Sequence, residues 1–202
     1  MEITLSKAGR RFNREWIFRN IDYSFQPGKS YALLGPNGSG KSTLMQALSG
    51  ILSLSEGQIS FQENNSTIEV EDVFNAVSFS APYLELVEEF TLQEMIAFHL
   101  QFKKPIQKQD IIALLGFEKH KNRLIKVFSS GMKQRLKLAL AFCSDTPILL
   151  LDEPCSNLDD QGIAWYQQLL QNYTANRLVI IASNQLHEYE WCQNRLNIID
   201  YK

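Results

Sequence analysis

Residues 35–42 read GPNGSGKS and match the pattern G-x-x-x-x-G-K-S/T. Three glycines let the backbone turn tightly and point its N–H groups at phosphate oxygens. An apolar run precedes the segment and a helical run follows it, and the positive end of the helix dipole attracts phosphate. The segment therefore predicts a phosphate-binding loop whose ATP-contacting residues are Gly35, Asn37, Gly38, Ser39, Gly40, Lys41, Ser42 and Thr43.

Three side chains of this loop and two carboxylates further along the chain divide the chemistry between them. Lys41 can reach the β- and γ-phosphates, Ser42 offers a hydroxyl to Mg²⁺, and Thr43 can bond the α-phosphate. An apolar run at 148–151 ends in Asp152 and Glu153. At a strand tip beside the loop, Asp152 would hold Mg²⁺ through water and Glu153 would orient or deprotonate the attacking water.

The apolar runs around the loop predict the fold class. Residues 31–34, 148–151 and 178–182 are nearly continuous apolar segments, which is typical of strands covered on both faces of a parallel sheet. Residues 58–61 and 77–79 alternate in polarity and predict more peripheral strands. The pattern indicates an α/β fold.

Helical patterns occupy four segments: 40–49, ending at Gly50; 91–102, opened by a capping box; 131–142; and 159–173. In the third segment one face is apolar at helical spacing, and its residues are Met132, Leu136, Ala139, Leu140 and Cys143. Residues from about 84 to 130 are rich in helical patterns, which predicts a helical subdomain inserted into one domain of residues 1–202.

Composition narrows the possible function. The 202 residues carry a formal net charge of −2, so the sequence does not predict a nucleic-acid binder. Three scattered cysteines predict neither a disulfide framework nor a zinc site. No apolar run approaches the roughly 18 residues of a membrane span, and the N-terminus has no signal-peptide core. We therefore expect a cytoplasmic protein.

Two further segments carry a family resemblance. Residues 128–135, FSSGMKQR, resemble the signature motif of ABC (ATP-binding cassette) ATPases, and residues 156–159, SNLD, resemble the family's D-loop with its Asp159. The resemblance implies a P-loop NTPase core with a parallel sheet, an antiparallel β subdomain and a helical subdomain. It also implies a head-to-tail dimer, homomeric or heteromeric, in which Ser129, Ser130 and Gly131 contact ATP held by the partner.

An aromatic residue near the N-terminus matches the family's A-loop. By that resemblance Phe12 stacks on adenine. Trp16 competes for this role, and a Phe at this place can equally be a core residue.

The sequence departs from the family at three places. Pro82 stands where the Q-loop glutamine is expected, and it has no side-chain amide. Asn184 stands at the H-loop histidine position, where it can donate to phosphate but cannot accept a proton. His187 is the alternative there if the loop is shifted. In the signature, Ser130 replaces a glycine and Met132 a glutamine. We therefore predict slow hydrolysis with Glu153, Lys41 and Asn184 as the catalytic residues.

The resemblance implies an energising subunit of an ABC transporter, bound through an integral membrane permease to the inner face of the cell membrane. The alternatives are a soluble ABC ATPase for protein assembly or remodelling, and a poorly hydrolysing ATP-binding partner in an asymmetric dimer. Residues 83–90 follow the Q-loop position, where the family's permease docks. Four nearby acids, Glu85, Glu88, Glu89 and Glu94, indicate either that the permease docks here through a basic helix or that this segment is a solvated acidic loop.

Overall fold

The computed structural model describes residues 1–64, 66–106 and 110–202. Within these residues the strands are β1 (Glu2–Phe12), β2 (Glu15–Phe25), β3 (Ser30–Leu34), β4 (Glu56–Glu63), β5 (Ser66–Ile68), β6 (Val77–Ser80), β7 (Ile148–Asp152), β8 (Leu178–Ala182) and β9 (Asn194–Asn197). They form a five-stranded parallel sheet in the order β6-β7-β8-β3-β9 and a four-stranded antiparallel sheet in the order β2-β1-β4-β5. The α/β fold class is confirmed.

Seven helices lie in the described ranges: α1 (Lys41–Leu48), α2 (Val73–Ala76), α3 (Leu92–Phe102), α4 (Ile111–Leu115), α5 (Ser130–Cys143), α6 (Asp160–Tyr173) and α7 (Leu186–Tyr189). Short 3-10 turns add Val70–Asp72, Glu118–His120, Ile125–Val127 and Ile198–Tyr201. The predicted capping box is present, because the Thr91 side chain and the Glu94 carboxylate bond each other's backbone N–H. The four predicted helices differ from α1, α3, α5 and α6 by only a residue at either end.

The central strands explain why their sequences are continuously apolar. Tyr31 and Leu33 of β3 pack into one core with α1 and the antiparallel sheet, whereas Ala32 packs into a second core with α5 and α6. The residues of β7 and β8 alternate between the same two cores. Since both faces of the sheet are covered, neither set of side chains reaches water. Strand β6 is the edge strand next to β7, in keeping with its prediction as more peripheral.

The antiparallel sheet packs against the core that contains β3 and α1. Its buried side chains include Phe18, Phe25 and Phe61, each fully buried. Strand β1 pairs with both β2 and β4, so the long β1–β2 hairpin is joined to the segment that follows α1. This packing brings β2 close to the loop between β3 and α1.

Between β6 and β7 the chain builds a third core from α3, α4, the turn at Ile125–Val127 and one face of α5. The apolar face predicted for α5 lies in this core, and its opposite face packs on the parallel sheet through Leu138 and Phe142. Residues 107–109 fall within the helical region predicted at about 84–130 and lie outside the described residues. No helix in the described ranges is both long and apolar enough to cross a bilayer.

Candidate functional site

The carboxyl ends of the neighbouring parallel strands β7, β8 and β3 meet at one edge of the sheet. Strand β3 leads into residues 35–40, and β7 ends at Asp152, which is paired with Ala182 of β8. Leu33 of β3 is also paired with Ala182. Ligand sites in open α/β sheets lie at this edge, so the topology itself brings the predicted residues together.

The loop at 35–40 has a backbone that only glycine accommodates easily. Gly35 and Gly40 have φ angles of 144° and 105°. A Cβ at Gly40 would lie 2.5 Å from Cγ2 of Ile17, and a Cβ at Gly35 would lie 2.6 Å from Oγ of Ser39. Helix α1 starts at Lys41 with no side chain capping its N-terminus. Its first N–H groups can therefore serve an anion.

A cavity of about 220 Å³ lies over this loop. Its lining consists of Ile17, Asn37, Gly38, Ser39, Gly40, Lys41, Ser42, Thr43 and Glu153. Seven of the predicted ATP-contacting residues thus border one space, together with the carboxylate predicted to act on water. The hydroxyl of Ser39 is buried and makes no hydrogen bond within the described residues, so it is a donor without a protein partner.

Lys41 is folded back into the loop. Its Nζ donates hydrogen bonds to the carbonyls of Gly35, at 2.7 Å, and Pro36, at 3.2 Å. Burial lowers the pKa of Lys41, and the charges of Glu153 and Asp152 partly oppose that shift. The ammonium therefore lies near two carboxylates, forms no ion pair within the described residues, and is placed to turn towards phosphate oxygens.

Asp152 provides the test for a metal ion. The side chain is 1% exposed, and neither carboxylate oxygen has a hydrogen-bond partner among the described residues. Burial raises its pKa, while the nearby hydroxyls of Ser42 and Tyr83 and the ammonium of Lys41 act in the opposite direction. A buried carboxylate with unused oxygens beside a serine hydroxyl fits a hard cation such as Mg²⁺.

Glu153 leaves the strand in an unusual conformation. Its φ is 44°, in the left-handed region that non-glycine residues rarely adopt. Its N–H donates to the carbonyl of Ala182 at 2.9 Å, which fixes the turn. The exposed side chain is directed to the cavity over the phosphate loop. Backbone strain of this kind is often found where a catalytic side chain must be aimed.

Asn184 contacts the phosphate loop directly. Its Nδ2 donates a 2.7 Å hydrogen bond to Oδ1 of Asn37. The H-loop position is therefore already next to the proposed phosphate site. His187, the alternative for this position, lines a different cavity with Trp191 on the far side of α7.

Sequence reasoning missed a residue beside Pro82. The turn after β6 is held by Lys137, whose Nζ donates to the carbonyls of Ala81, at 3.0 Å, and Pro82, at 3.1 Å. Tyr83 then places its hydroxyl close to Asp152, and burial together with that carboxylate raises the pKa of Tyr83. The position of Tyr83 directly after Pro82 could have marked it as a candidate, but a sequence does not show the direction of a side chain.

The signature residues lie outside the cavity over the phosphate loop. Ser129 caps α5 by accepting from the N–H of Met132 at 3.2 Å, which leaves Ser130 exposed at the helix N-terminus. A Cβ on Gly131 would lie 2.9 Å from the carbonyl of Asn157. The start of α5 thus packs against the D-loop.

Two further contacts hold the D-loop in place. Gln134 of α5 donates to the carbonyl of Pro154 at 2.8 Å. Asp159 is the N-cap of α6 and accepts from the N–H of Gly162 at 2.8 Å. The segment after Glu153 is therefore held at one end by a side chain of α5 and at the other by the N-terminus of α6.

Phe12 lies at the end of β1, 46% exposed, with the Arg10 guanidinium 4.7 Å from its ring centre. It does not border the cavity over the phosphate loop, whereas Ile17 does. Trp16 contacts Arg11 and Arg19 through its ring, at 5.5 Å and 4.4 Å. The adenine-stacking role of Phe12 stays a prediction, with Trp16 already engaged by arginines.

Comparisons with known proteins identify the family. A family model described as ABC transporter matches residues 18–156. YybJ of Bacillus subtilis (strain 168), described as an uncharacterized ABC transporter ATP-binding protein, is 32% identical over 185 residues, covering 87% of this chain and 82% of YybJ. YcbN of the same organism, described in the same words, is 30% identical over 190 residues. That match covers 91% of this chain but only 61% of YcbN.

A solved structure shares the fold. It is a dimeric ATP-binding cassette in a post-hydrolysis state bound to ADP and Pi, with a TM-score of 0.83 over 96% of this chain and 93% of that chain. Sequence identity is 19%, so the likeness concerns the arrangement of strands and helices.

Proposed function

This chain belongs to the ABC transporter family, and from that premise we propose that it is the ATP-binding and ATP-hydrolysing subunit that energises a separate membrane permease. The observation that carries the proposal is the buried, unpartnered carboxylate of Asp152 beside Ser42 at the phosphate loop. A nucleotide triphosphate with Mg²⁺ supplies the charge that this arrangement lacks.

The residues of the site divide the reaction as follows. Lys41 exchanges its bonds with the loop carbonyls for bonds to the β- and γ-phosphates. Ser42 and Asp152 would hold Mg²⁺, which would supply the positive charge that offsets the charge of the phosphates. Glu153 orients the attacking water and accepts its proton, and Asn184 donates its amide to the γ-phosphate.

Turnover is expected to be slow. Pro82 supplies no side-chain hydrogen bond, and Asn184 cannot take up a proton as histidine can. The hydroxyl of Tyr83, the residue after Pro82, lies beside Asp152. It can support the metal site without restoring the amide's hydrogen bonds.

The two ends of the site favour a head-to-tail dimer. The N-terminus of α5, with Ser129, Ser130 and Gly131, is an exposed anion site on a 14-residue helix. It does not border the cavity over the phosphate loop of its own chain. In a dimer each α5 would close over ATP held by the partner, and the dimeric state of the related cassette structure supports this arrangement. The partner copy is either identical or a paralogue.

Turnover measurements test the enzymatic part of the proposal. Glu153→Gln should bind MgATP with unchanged affinity and hydrolyse it at least about 100-fold more slowly, since a positioned general base contributes that much or more. Glu71→Gln makes the same chemical change at an exposed site on another part of the chain and should leave turnover unchanged. Equal rates for Glu153→Gln and the unaltered protein would remove Glu153 from the mechanism.

The permease is expected to dock on the segment at 85–89, which borders an open cavity of about 610 Å³. Glu88 is already ion-paired with Lys133, and Glu94 is engaged in the capping box. This leaves Glu85 and Glu89 as the exposed acids for a basic docking helix. The chain would then lie on the inner face of the cell membrane through this partner.

Co-purification tests the membrane partner. Tagged protein isolated from detergent-solubilised native membranes should retain an integral membrane protein. Glu85→Lys with Glu89→Lys should release that protein, whereas Glu69→Lys with Glu71→Lys, an equal charge change elsewhere, should retain it. Recovery of soluble partners alone would favour the assembly or remodelling ATPase instead.

A further inference from the structure

Three side chains of the kinds that bind metals lie close together after strands β7 and β8. Cys155, His187 and Glu188 each bring one donor atom within 4.8 Å of the others. Cys155 belongs to the turn after β7, two residues beyond Glu153, and the other two belong to α7 after β8. The parallel pairing of β7 with β8 brings these segments together although they are more than thirty residues apart.

Two of these side chains each have one buried polar atom without a hydrogen-bond partner in the described part of the chain. Glu188 is 1% exposed; its Oε1 accepts the N–H of Cys155 at 2.8 Å, but its Oε2 has no hydrogen bond within the described residues. Nε2 of His187 is likewise buried and unpartnered. In the described part of the chain no lysine or arginine forms an ion pair with Glu188. A buried carboxylate in this state needs a proton or a cation.

We propose that Cys155, His187 and Glu188 form a binding site for a divalent transition metal, with Zn²⁺ the best match. Sulfur, imidazole nitrogen and carboxylate oxygen are the donors that Zn²⁺ takes in proteins. At zinc distances of about 2.0–2.3 Å, two donors of a tetrahedral site lie about 3.5 Å apart. Since the donors lie within 4.8 Å of one another, the cluster needs to contract by at most about 1.3 Å, which the four-residue helix α7 can supply.

The charges balance on binding. Burial, with the negative charge of Glu188 second, raises the pKa of Cys155, so without metal this residue is a thiol. Binding releases the thiol proton to solvent, and the thiolate and the carboxylate together neutralise the two charges of Zn²⁺. His187 borders an open cavity of about 460 Å³. Three protein donors would leave the fourth position of a tetrahedral ion to water.

The site is separate from the proposed Mg²⁺ position, where the donors are the oxygens of Ser42 and Asp152. It joins the segment carrying Glu153 to the segment carrying Asn184, so a bound ion would fix the spacing of two loops at the nucleotide site. Metal binding itself does not depend on the proposed ATPase activity. It can therefore be tested in the absence of nucleotide.

Cobalt substitution tests the proposal on the full chain. After treatment with a chelator, the protein should bind one equivalent of Co²⁺ with tetrahedral d–d bands and a thiolate-to-cobalt charge-transfer band, and Zn²⁺ should displace it. Cys155→Ala should remove the charge-transfer band. His187→Gln, at a half-buried position that does not endanger folding, should weaken Co²⁺ and Zn²⁺ binding at least about tenfold.

Matched variants separate this site from others. Cys143→Ala removes another buried thiol and His120→Gln another half-buried imidazole, and both should bind Co²⁺ as the unaltered chain does. Absence of a thiolate band in the unaltered protein would overturn the proposal, because Co²⁺ at the oxygen donors of the Mg²⁺ position gives none. Unchanged binding in His187→Gln, or loss of the band in Cys143→Ala, would also overturn it.

Discussion

Replacing Asp152 by asparagine should stabilise the protein while it disables the nucleotide site. Both oxygens of this 1% exposed carboxylate lack hydrogen-bond partners in the described residues. Burying a charged carboxylate costs more than burying a neutral amide at the same position, so Asp152→Asn should raise the free energy of unfolding by about 1–3 kcal/mol at neutral pH. For a chain of this length that corresponds to an increase in Tm of roughly 2–12 °C.

The pH dependence follows from the direction of the pKa shift. Folding raises the pKa of Asp152, so its stabilising contribution is full below the unfolded pKa and is lost as pH rises through the folded pKa. Asparagine resembles the protonated form at every pH. The advantage of Asp152→Asn should therefore be largest at a pH above the raised pKa of Asp152 and shrink as the pH falls through it.

Thermal unfolding without nucleotide or Mg²⁺ is the assay, with Glu153→Gln as the control. Glu153 is exposed, so the same loss of charge one residue later should leave Tm nearly unchanged. If Asp152→Asn lowers Tm, attraction to Lys41 outweighs the burial of the carboxylate. The reasoning about an unsatisfied metal-binding carboxylate would then be wrong.

Two further substitutions test contacts around the site. Tyr83→Phe removes the hydroxyl beside Asp152 and should lower ATP turnover about tenfold without changing Tm, because loss of a group that supports a metal ligand commonly has an effect of this size. Steady-state turnover and thermal unfolding measure the two quantities. Equal turnover rates would show that the hydroxyl plays no part. Gly131→Ala places a Cβ 2.9 Å from the carbonyl of Asn157 and should cost about 1–3 kcal/mol of stability, measured by urea unfolding. An unchanged midpoint would mean that the D-loop moves aside without cost.

The parts of the fold that depend on local patterns were predictable from sequence. The glycine loop, the capping box at Thr91 and the continuous apolar strands each have a local physical cause, and each lies where it was predicted. Asp152 and Glu153 could be placed beside the loop because parallel strands end at the same edge of a sheet.

Features that depend on side-chain direction or on pairing between distant segments were not predictable. Tyr83 turns towards Asp152 only because Lys137 holds the turn after β6. Cys155 and His187 lie close together because β7 pairs with β8, and their spacing in the sequence does not predict the contact. For the same reason the scattered cysteines predicted no zinc site.

Calorimetric titration of MgATP into the well-folded chain tests the central claim most directly. We expect saturable heat for the unaltered protein and for Glu153→Gln. Lys41→Ala should lose that heat, because it lacks the ammonium that moves from the loop carbonyls to the phosphates. No heat with the unaltered protein, or equal binding by Lys41→Ala, would contradict the claim.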